Sequence, residues 1–302
     1  MRFSVDFAIA HKARWLFVLS VLLITGCASS IVVRTLYADL DDRSAERFKQ
    51  YADFTDRQDQ WIDRQATQFH RWHRATQLPL YASALQQLGG ELSDKHTLSD
   101  EDVSRWEQTV RDLTENVRRC HPLNHADDFL INLSDRQVKQ IGKHLRNQHN
   151  KFRKRYQSES ADERLQRRVA NITKWAGRLG ASFNERQRAL LIDTLKRQHS
   201  LGEQRMQLRS QWLDRFDDNL KNRRQPGFAS RHDALMAEQW RQTEREYPRQ
   251  WRENEVLWTN FLLQFLSLQT PQQRTTMLDR IAKFASIIDG MSGNRANAET
   301  CA

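Results

Sequence analysis

A repeated four-residue signature marks helix starts in this chain, and it constrains the fold more than any other feature. A Ser, Thr or Asn that can cap a first turn is followed three positions later by a side chain able to reach back to the N–H of the capping residue. Five such pairs occur, three close to the ideal pattern and the last two looser: Thr55 with Gln58, Ser134 with Gln137, Thr270 with Gln273, Asn184 with Gln187, and Ser99 with Asp102. Each pair predicts the start of a helix.

Patterns typical of strands are missing, because apolar and polar residues do not alternate and the 10 Gly and 5 Pro lie largely at junctions. We predict an all-α fold, an elongated bundle of about eight helices. Their expected positions are residues 31–50, 56–88, 100–119, 135–157, 162–179, 185–222, 230–268 and 271–289. Pro79 and Pro248 predict kinks in two of them.

The N-terminus has the layout of a secretory signal. Arg2, Lys12 and Arg14 precede an apolar block at residues 15–24, which is too short for a membrane-spanning helix of ~20 residues. The block ends in the sequence LLITGC at 22–27, which resembles the lipobox of bacterial lipoproteins. That resemblance implies cleavage before Cys27 and acylation of this residue with several fatty chains, enough for stable anchoring. The alternative is an ordinary secretory signal followed by a chance cysteine.

Residue 28 is Ala, whereas an Asp after the lipidated cysteine retains lipoproteins in the inner membrane. The resemblance therefore implies a protein on the outer membrane that faces the periplasm. We divide the chain into a signal peptide (1–26), a lipidated N-terminus with the first helix (27–54), a helical domain (55–290) and a flexible tail (291–302).

Charge narrows the possible partners. Removal of residues 1–26 leaves 45 basic and 37 acidic residues, a net charge of +8. Behind an export signal this surface does not indicate nucleic acid, although basic faces often bind phosphate backbones. The expected anionic partners are membrane lipids, lipid A phosphates and acidic protein segments. The nine Trp and 14 Phe argue against a disordered chain.

The cysteines other than Cys27 are Cys120 and Cys301. In an oxidising compartment they are candidates for one intramolecular disulfide. Two free thiols are the alternative, since the sequence does not show whether the two Cα atoms approach each other.

Two groups of residues have spacings that a metal site would need. His70 and His73 share a helix face, but the sequence places no acidic or cysteine residue beside them; Cys120, His121 and His125 cluster at a helix–loop junction. We expect neither group to bind a metal, and we expect no cofactor. No nucleophile elbow, P-loop, dinucleotide fingerprint or zinc-protease helix occurs, so an enzyme is disfavoured; catalytic groups far apart in sequence would leave no motif.

Large aromatic residues recur along the segment predicted as the longest helix, at intervals of 7, 4, 7, 3 and 4: Trp240, Tyr247, Trp251, Trp258, Phe261 and Phe265. Such a stripe is typical of a face buried against a partner helix. The functional alternative is an aromatic groove for client peptides.

Several segments together resemble an uncharacterised family of Gram-negative lipoproteins with a domain of unknown function. Besides the lipobox they are YADLDD at 37–42, FHRWHR at 69–74, LPLY at 78–81 and LSDRQ at 133–137. The likeness covers most of the mature chain. It implies a location and an all-helical shape, and no functional residue apart from the lipid-bearing Cys27.

A weaker similarity links LSDRQ at 133–137 with FNERQ at 183–187, which start 50 residues apart. Both are similar to the repeated L-T-x-x-Q motif of Spy-type periplasmic chaperones, which are basic helical proteins that bind unfolded clients. A helix cap explains the same letters. We therefore expect a non-catalytic, lipid-anchored helical adaptor or envelope-maintenance module, with a Spy-like chaperone and an enzyme without a recognisable motif as the alternatives.

Overall fold

A computed structural model describes residues 30–94 and 97–293 of the 302-residue chain. All regular structure in these ranges is helical, which confirms the predicted all-α class. The predicted signal peptide at residues 1–26 lies outside the described residues, as do Cys27 and Cys301. None of the helices described is long and apolar enough to cross a membrane.

The helices are named here in chain order. They are α1 Ser30–Ala38, α2 Leu40–Lys49, α3 Asp56–Trp72, a π-helix His73–Gln77, α4 Leu78–Asp94, α5 Asp100–Arg119, a 3-10 helix Pro122–His125, α6 Asp127–Ile131, α7 Asp135–Ser158, α8 Ala161–Arg178, α9 Glu185–Arg197, α10 Gly202–Lys221, α11 Phe228–Gln239, α12 Gln242–Glu246, α13 Pro248–Ser267 and α14 Pro271–Asp289.

The five predicted helix starts are all confirmed as capping boxes, in which the capping side chain accepts from a backbone N–H and the third residue reaches back. A sixth box joins Ser160 and Glu163 at the start of α8. The signature is read correctly from sequence because both partners lie within one turn.

The number of helices exceeds the predicted eight for two reasons: four segments expected to be continuous are divided, and the 3-10 helix and α6 lie where no helix is predicted. Residues 31–50 form α1 and α2, with Asp39 between them at φ −95° and ψ 15°. Residues 56–88 contain the π-helix, where the N–H of Leu78 donates to the carbonyl of His73 five residues earlier. Pro79 follows at once in α4, and its missing N–H cannot continue the α-helical pattern. The kink expected at Pro79 therefore takes the form of a widened turn.

The segment expected as one helix at 185–222 breaks between Arg197 and Gly202. The break is held by the side chain of Asn254 on α13: His199 N–H donates to Asn254 Oδ1 at 2.9 Å, and Asn254 Nδ2 donates to the His199 carbonyl at 3.1 Å. Asn254 is buried, so its amide replaces the backbone partners that an uninterrupted helix would provide. The partner lies 55 residues away, and the local sequence gives no sign of it.

The segment expected at 230–268 is divided into α11, α12 and α13. Tyr247 has φ −129° and ψ 54°, consistent with the steric exclusion of helical geometry before a proline, and Pro248 begins α13. The kink predicted at Pro248 is therefore a helix start. Trp251, Phe261 and Phe265 are buried, so this part of the aromatic stripe belongs to the core, as predicted.

Apolar side chains form two buried clusters. The first joins α1, α4, α5, α8, α9, α13 and α14, and α14 packs along α4. The second joins α2, α3, α6, α7, α10 and α11 around residues such as Phe129, Leu133 and Leu220. Past α14, Met291 is buried in the first cluster, and the N–H of Gly293 donates to the carbonyl of Arg74 at 3.0 Å. Residues 291–293 belong to the segment predicted as a flexible tail, and these contacts hold them against the helices. The rest of that segment, residues 294–302, lies outside the described part.

The glutamines of the capping boxes also join helix starts to each other. Gln58 of α3 and Gln137 of α7 form the first glutamine pair. Gln137 Nε2 donates to Gln58 Oε1 at 2.7 Å, and Gln58 Nε2 donates to Gln137 Oε1 at 3.3 Å. Gln137 Nε2 also donates to the carbonyl of Asp53 at 2.8 Å, two residues before the cap of α3.

The second glutamine pair repeats this arrangement at the starts of α9 and α14. Gln273 Nε2 donates to Gln187 Oε1 at 3.1 Å and to the carbonyl of Ser182 at 2.8 Å, again two residues before the cap of the earlier helix. Gln187 is fully buried, and its Nε2 donates to the carbonyl of Phe265 on α13 at 3.2 Å. The motifs at 133–137 and 183–187 therefore belong to different pairs.

Replacement of Gln187 by Leu is expected to lower the free energy of unfolding by about 2–4 kcal/mol, because it leaves the Asn184 N–H, the Phe265 carbonyl and one Gln273 donor without their partner. Urea unfolding followed by circular dichroism measures the change. The matched control is Gln207→Leu on the exposed face of α10, expected within about 0.5 kcal/mol of the parent. Equal effects of the two substitutions would contradict a structural role for the pair.

Candidate functional site

The histidines predicted from their helical spacing lie in a buried polar cluster where α3 meets the π-helix. Tyr37 Oη of α1 lies 2.7 Å from His73 Nδ1, and Tyr81 Oη of α4 lies 3.3 Å from His73 Nε2. A neutral imidazole has one N–H and one bare nitrogen, so one tyrosine accepts a hydrogen bond from it and the other donates. His73 therefore links α1 to α4 through its ring.

His70 has an acidic neighbour that the sequence did not reveal. Its Nδ1 lies 3.4 Å from Asp41 Oδ1 of α2, and its ring packs on Tyr37 with centroids 4.8 Å apart. His70 Nε2 is buried without a hydrogen-bond partner. The sequence gives no acidic residue a defined place beside the two histidines, and the structure supplies one in Asp41. Asp41 precedes His70 by 29 positions and reaches it only because α2 packs against α3.

Burial keeps the two imidazoles and the two tyrosine hydroxyls of this cluster uncharged at neutral pH. It lowers the pKa of His73 to about 4, with a smaller contribution from His70. The pKa of His70 is also lowered, mainly by burial and partly by Arg74, while Asp41 opposes the shift. Burial raises the pKa of both tyrosine hydroxyls well above the usual range. The arrangement is suited to holding helices together through neutral hydrogen bonds.

The second predicted group surrounds the turn after α5. Cys120 is buried and takes part in a disulfide; its predicted partner Cys301 lies outside the described residues, so that pairing stays a prediction. His121 Nδ1 accepts from the Leu123 N–H at 3.2 Å, and His125 Nε2 donates to the Arg119 carbonyl at 3.1 Å. These imidazoles cap the turn. Nowhere in the described part of the chain do three or more His, Cys, Asp or Glu side chains come together as a metal site.

A groove between α9 and α13 was not foreseen, because the sequence does not show that these helices are neighbours. It has a volume of about 340 Å³ and is lined by Leu190, Asp193, Thr194, Arg197, Leu257, Asn260, Phe261 and Gln264. Val256, one turn before Asn260 on α13, is 60% exposed. Exposed large hydrophobic residues are rare in the part described; the others are Leu80 and Leu268, which are less exposed than Val256. The groove and Val256 form the α9/α13 surface.

The unfolding free energy is expected to fall as the pH drops from 6.5 to 4. In the unfolded chain His73 binds a proton near pH 6.5, whereas in the folded chain it does so only near pH 4. The stability that is present above pH 6.5 is therefore lost as the pH falls between these two values. His73→Phe should lower stability at pH 7, through the two unpaired tyrosines, and reduce the pH slope by about 1.4 kcal/mol per pH unit. Urea unfolding at several pH values measures both. The exposed His125→Gln control should retain the parental slope.

Neither the curated proteins nor the solved structures contain a match to this chain. A sequence model of the family of unknown function DUF6279 matches residues 50–247, about two thirds of the chain. The matched range begins directly after α2 and ends at Tyr247, directly after α12, and it contains both glutamines of the first pair and Gln187 of the second. The chain belongs to this family of unknown function, DUF6279.

Proposed function

We propose that this protein is a lipid-anchored, non-catalytic helical module of the bacterial envelope that holds another envelope protein. The observation that carries the proposal is that most large apolar side chains of the described residues are buried rather than exposed to solvent. A chaperone that binds many unfolded clients needs a broad exposed apolar face. Here Trp251, Phe261 and Phe265 of the aromatic stripe pack in the core. The adaptor role is therefore favoured over the Spy-like alternative.

The α9/α13 surface is the part of the module best suited to a single partner. Asp193 and Arg197 form an ion pair of 3.3 Å on one wall of the groove, and Phe261 contributes to the other. Exposed Val256 supplies an apolar contact beside it. Apolar contacts bordered by fixed polar groups are typical of recognition sites for one folded partner.

An anchor at Cys27 would keep this module close to the bilayer. Three residue steps separate Cys27 from Ser30, the first residue of α1, and three extended residues span at most about 11 Å. Val33 and Tyr37 of α1 are buried in the first apolar cluster. The partner that we propose is therefore a protein whose contact surface lies near the membrane.

Lipidation of Cys27 is tested on protein extracted from the membrane. We expect mass spectrometry to find an N-terminal peptide that begins with acylated Cys27, and metabolic palmitate labelling to disappear in Cys27→Ala. Cys120→Ala serves as the matched control and should remain labelled. An exported protein that retains Met1 at its N-terminus would exclude the anchor.

The adaptor role is tested by placing a photo-crosslinking amino acid at Val256 in intact cells. We expect one discrete adduct of fixed stoichiometry, because the α9/α13 surface fits one partner. The same probe at Ala237, exposed on α11, is the control and should give no such adduct. A ladder of many adducts, together with suppression of aggregation of unrelated proteins, would favour the chaperone. Absence of adducts at both positions would contradict this surface.

A further inference from the structure

Basic side chains from three helices face one another where α7, α8 and α10 meet. They come from successive turns, two on each helix: His149 and Arg153 on α7, Arg164 and Arg168 on α8, and Arg205 and Arg209 on α10. Tyr156 of α7 stands among them. The Arg164 guanidinium lies 4.7 Å from the centre of its ring, and both Arg168 and Arg205 interact electrostatically with its hydroxyl.

Three of these arginines have no counter-ion. No carboxylate of the described residues lies within ion-pair distance of Arg168, Arg205 or Arg209, although all three are partly buried. Arg168 donates to the amide oxygen of Gln198 at 2.5 Å, and Arg209 stacks 4.5 Å from the centre of the Trp212 ring. Arg205 has a buried Nε without any partner.

Other withdrawn cations in the same region are paired. The most buried arginine, Arg223, donates to the carbonyls of Leu133 and Leu220 and to the carboxylate of Asp135. On the same α7–α10 interface, Arg146 pairs with Asp217 at 3.1 Å. The fold thus supplies acceptors to buried guanidinium groups elsewhere. Because Arg205 Nε has no acceptor among the described residues, we look for one outside the chain.

Burial without counter-ions also lowers the pKa of two of these arginines. It lowers the pKa of Arg205 to about 10, with a further contribution from the nearby Arg168, and it lowers the pKa of Arg209 to about 10. Both groups are still charged at neutral pH. His149 lies close to Arg209 and Arg153 and also to the carboxylate of Asp214, and its Nε2 is buried without a hydrogen-bond partner among the described residues. Desolvated cations of this kind are stabilised by an anion that enters among them.

Neutral donors complete the surroundings of these cations. Tyr156 Oη lies 3.4 Å from Ser200 Oγ. A Cβ added to Gly202 would lie 2.3 Å from Tyr156 Oη unless the tyrosine moved. Gly202 therefore lets the hydroxyl stand directly against the start of α10. The N-cap residue of α10, Leu201, supplies no capping side chain. The partial positive charge at this helix start therefore adds to the positive charge of Arg205, which lies in the first turn.

We propose that α7, α8 and α10 form a binding site for the phosphate group of an anionic ligand, with Arg168 and Arg205, which lie near each other and near Tyr156, as its cationic contacts. Guanidinium groups suit phosphate because their planar donors match its oxygens in pairs. The phosphate belongs either to a lipid headgroup or to a small soluble phosphate compound. The site is on a different set of helices from the α9/α13 surface, and it stands whether or not the adaptor role is correct.

The test is thermal unfolding of the full mature chain in phosphate-free buffer and after addition of inorganic phosphate or pyrophosphate at matched ionic strength. At a ligand concentration about 100 times the Kd, the parent Tm should rise by roughly 5 °C or more. Arg205→Gln should abolish this rise and weaken binding at least about tenfold in calorimetric titration. The control Arg188→Gln removes the same charge from the exposed face of α9 and should retain the full response.

A second readout separates a ligand contact from a structural arginine. Without phosphate, Arg205→Gln should unfold at the same temperature as the parent or a higher one, because it removes a desolvated charge that has no partner. A lower Tm in phosphate-free buffer with unchanged phosphate affinity would overturn the proposal. The proposal would also be overturned if chloride raised the Tm of the parent as much as phosphate does. Equal losses of the phosphate-dependent Tm rise in Arg205→Gln and Arg188→Gln would have the same meaning.

The source of the phosphate is resolved by the choice of probe. Short-chain phosphatidylglycerol below its micelle concentration is compared with inorganic phosphate, pyrophosphate and phosphocholine in the same titration. A preference for phosphatidylglycerol that is lost in Arg205→Gln identifies a lipid headgroup, and a preference for pyrophosphate identifies a soluble compound. Binding of none of the four probes would overturn the proposal.

Discussion

Helix starts joined through glutamine amides are the interaction on which the rest of this structure depends. Each glutamine closes the capping box of its own helix, and Gln58, Gln137 and Gln273 also donate to the start of another. The same amide therefore fixes the beginning of a helix and joins it to a neighbour. Gln137 and Gln187 are buried, and a buried amide is tolerated only when its hydrogen bonds are made. One pair lies beside each apolar cluster, so two sets of helices are aligned by the same chemistry.

The sequence predicts what is local and misses what depends on distant partners. The capping boxes are recognisable because both members lie within four residues, and together with the lack of alternation they define an all-α protein. The break near His199 is not recognisable, because the residue that replaces its backbone partners is Asn254 on another helix. The aromatic stripe misleads in the same way: its spacing continues through Tyr247, while Pro248 imposes a new helix start.

The same distinction applies to the candidate sites. Helical spacing correctly places His70 and His73 close together, yet their surroundings come from α1, α2 and α4, and only these show why the rings are neutral and what they hold together. Charge composition likewise reveals a basic chain. It does not reveal which arginines find carboxylates, since Asp135 reaches Arg223 across 88 positions. Pairing is a property of the packed helices, and so is its absence.

The contrast between Arg223 and Arg205 shows how a helical module of this composition separates structure from recognition. Arg223 is almost completely enclosed, and its donors meet two carbonyls and a carboxylate, so its charge is satisfied within the fold. Arg205 keeps some access to solvent and has a donor that meets nothing. An enclosed charge without a partner opposes folding, and the phosphate that we propose would offset that cost at Arg205. At the proposed phosphate site, unlike the α9/α13 surface, charge is the property that selects the ligand.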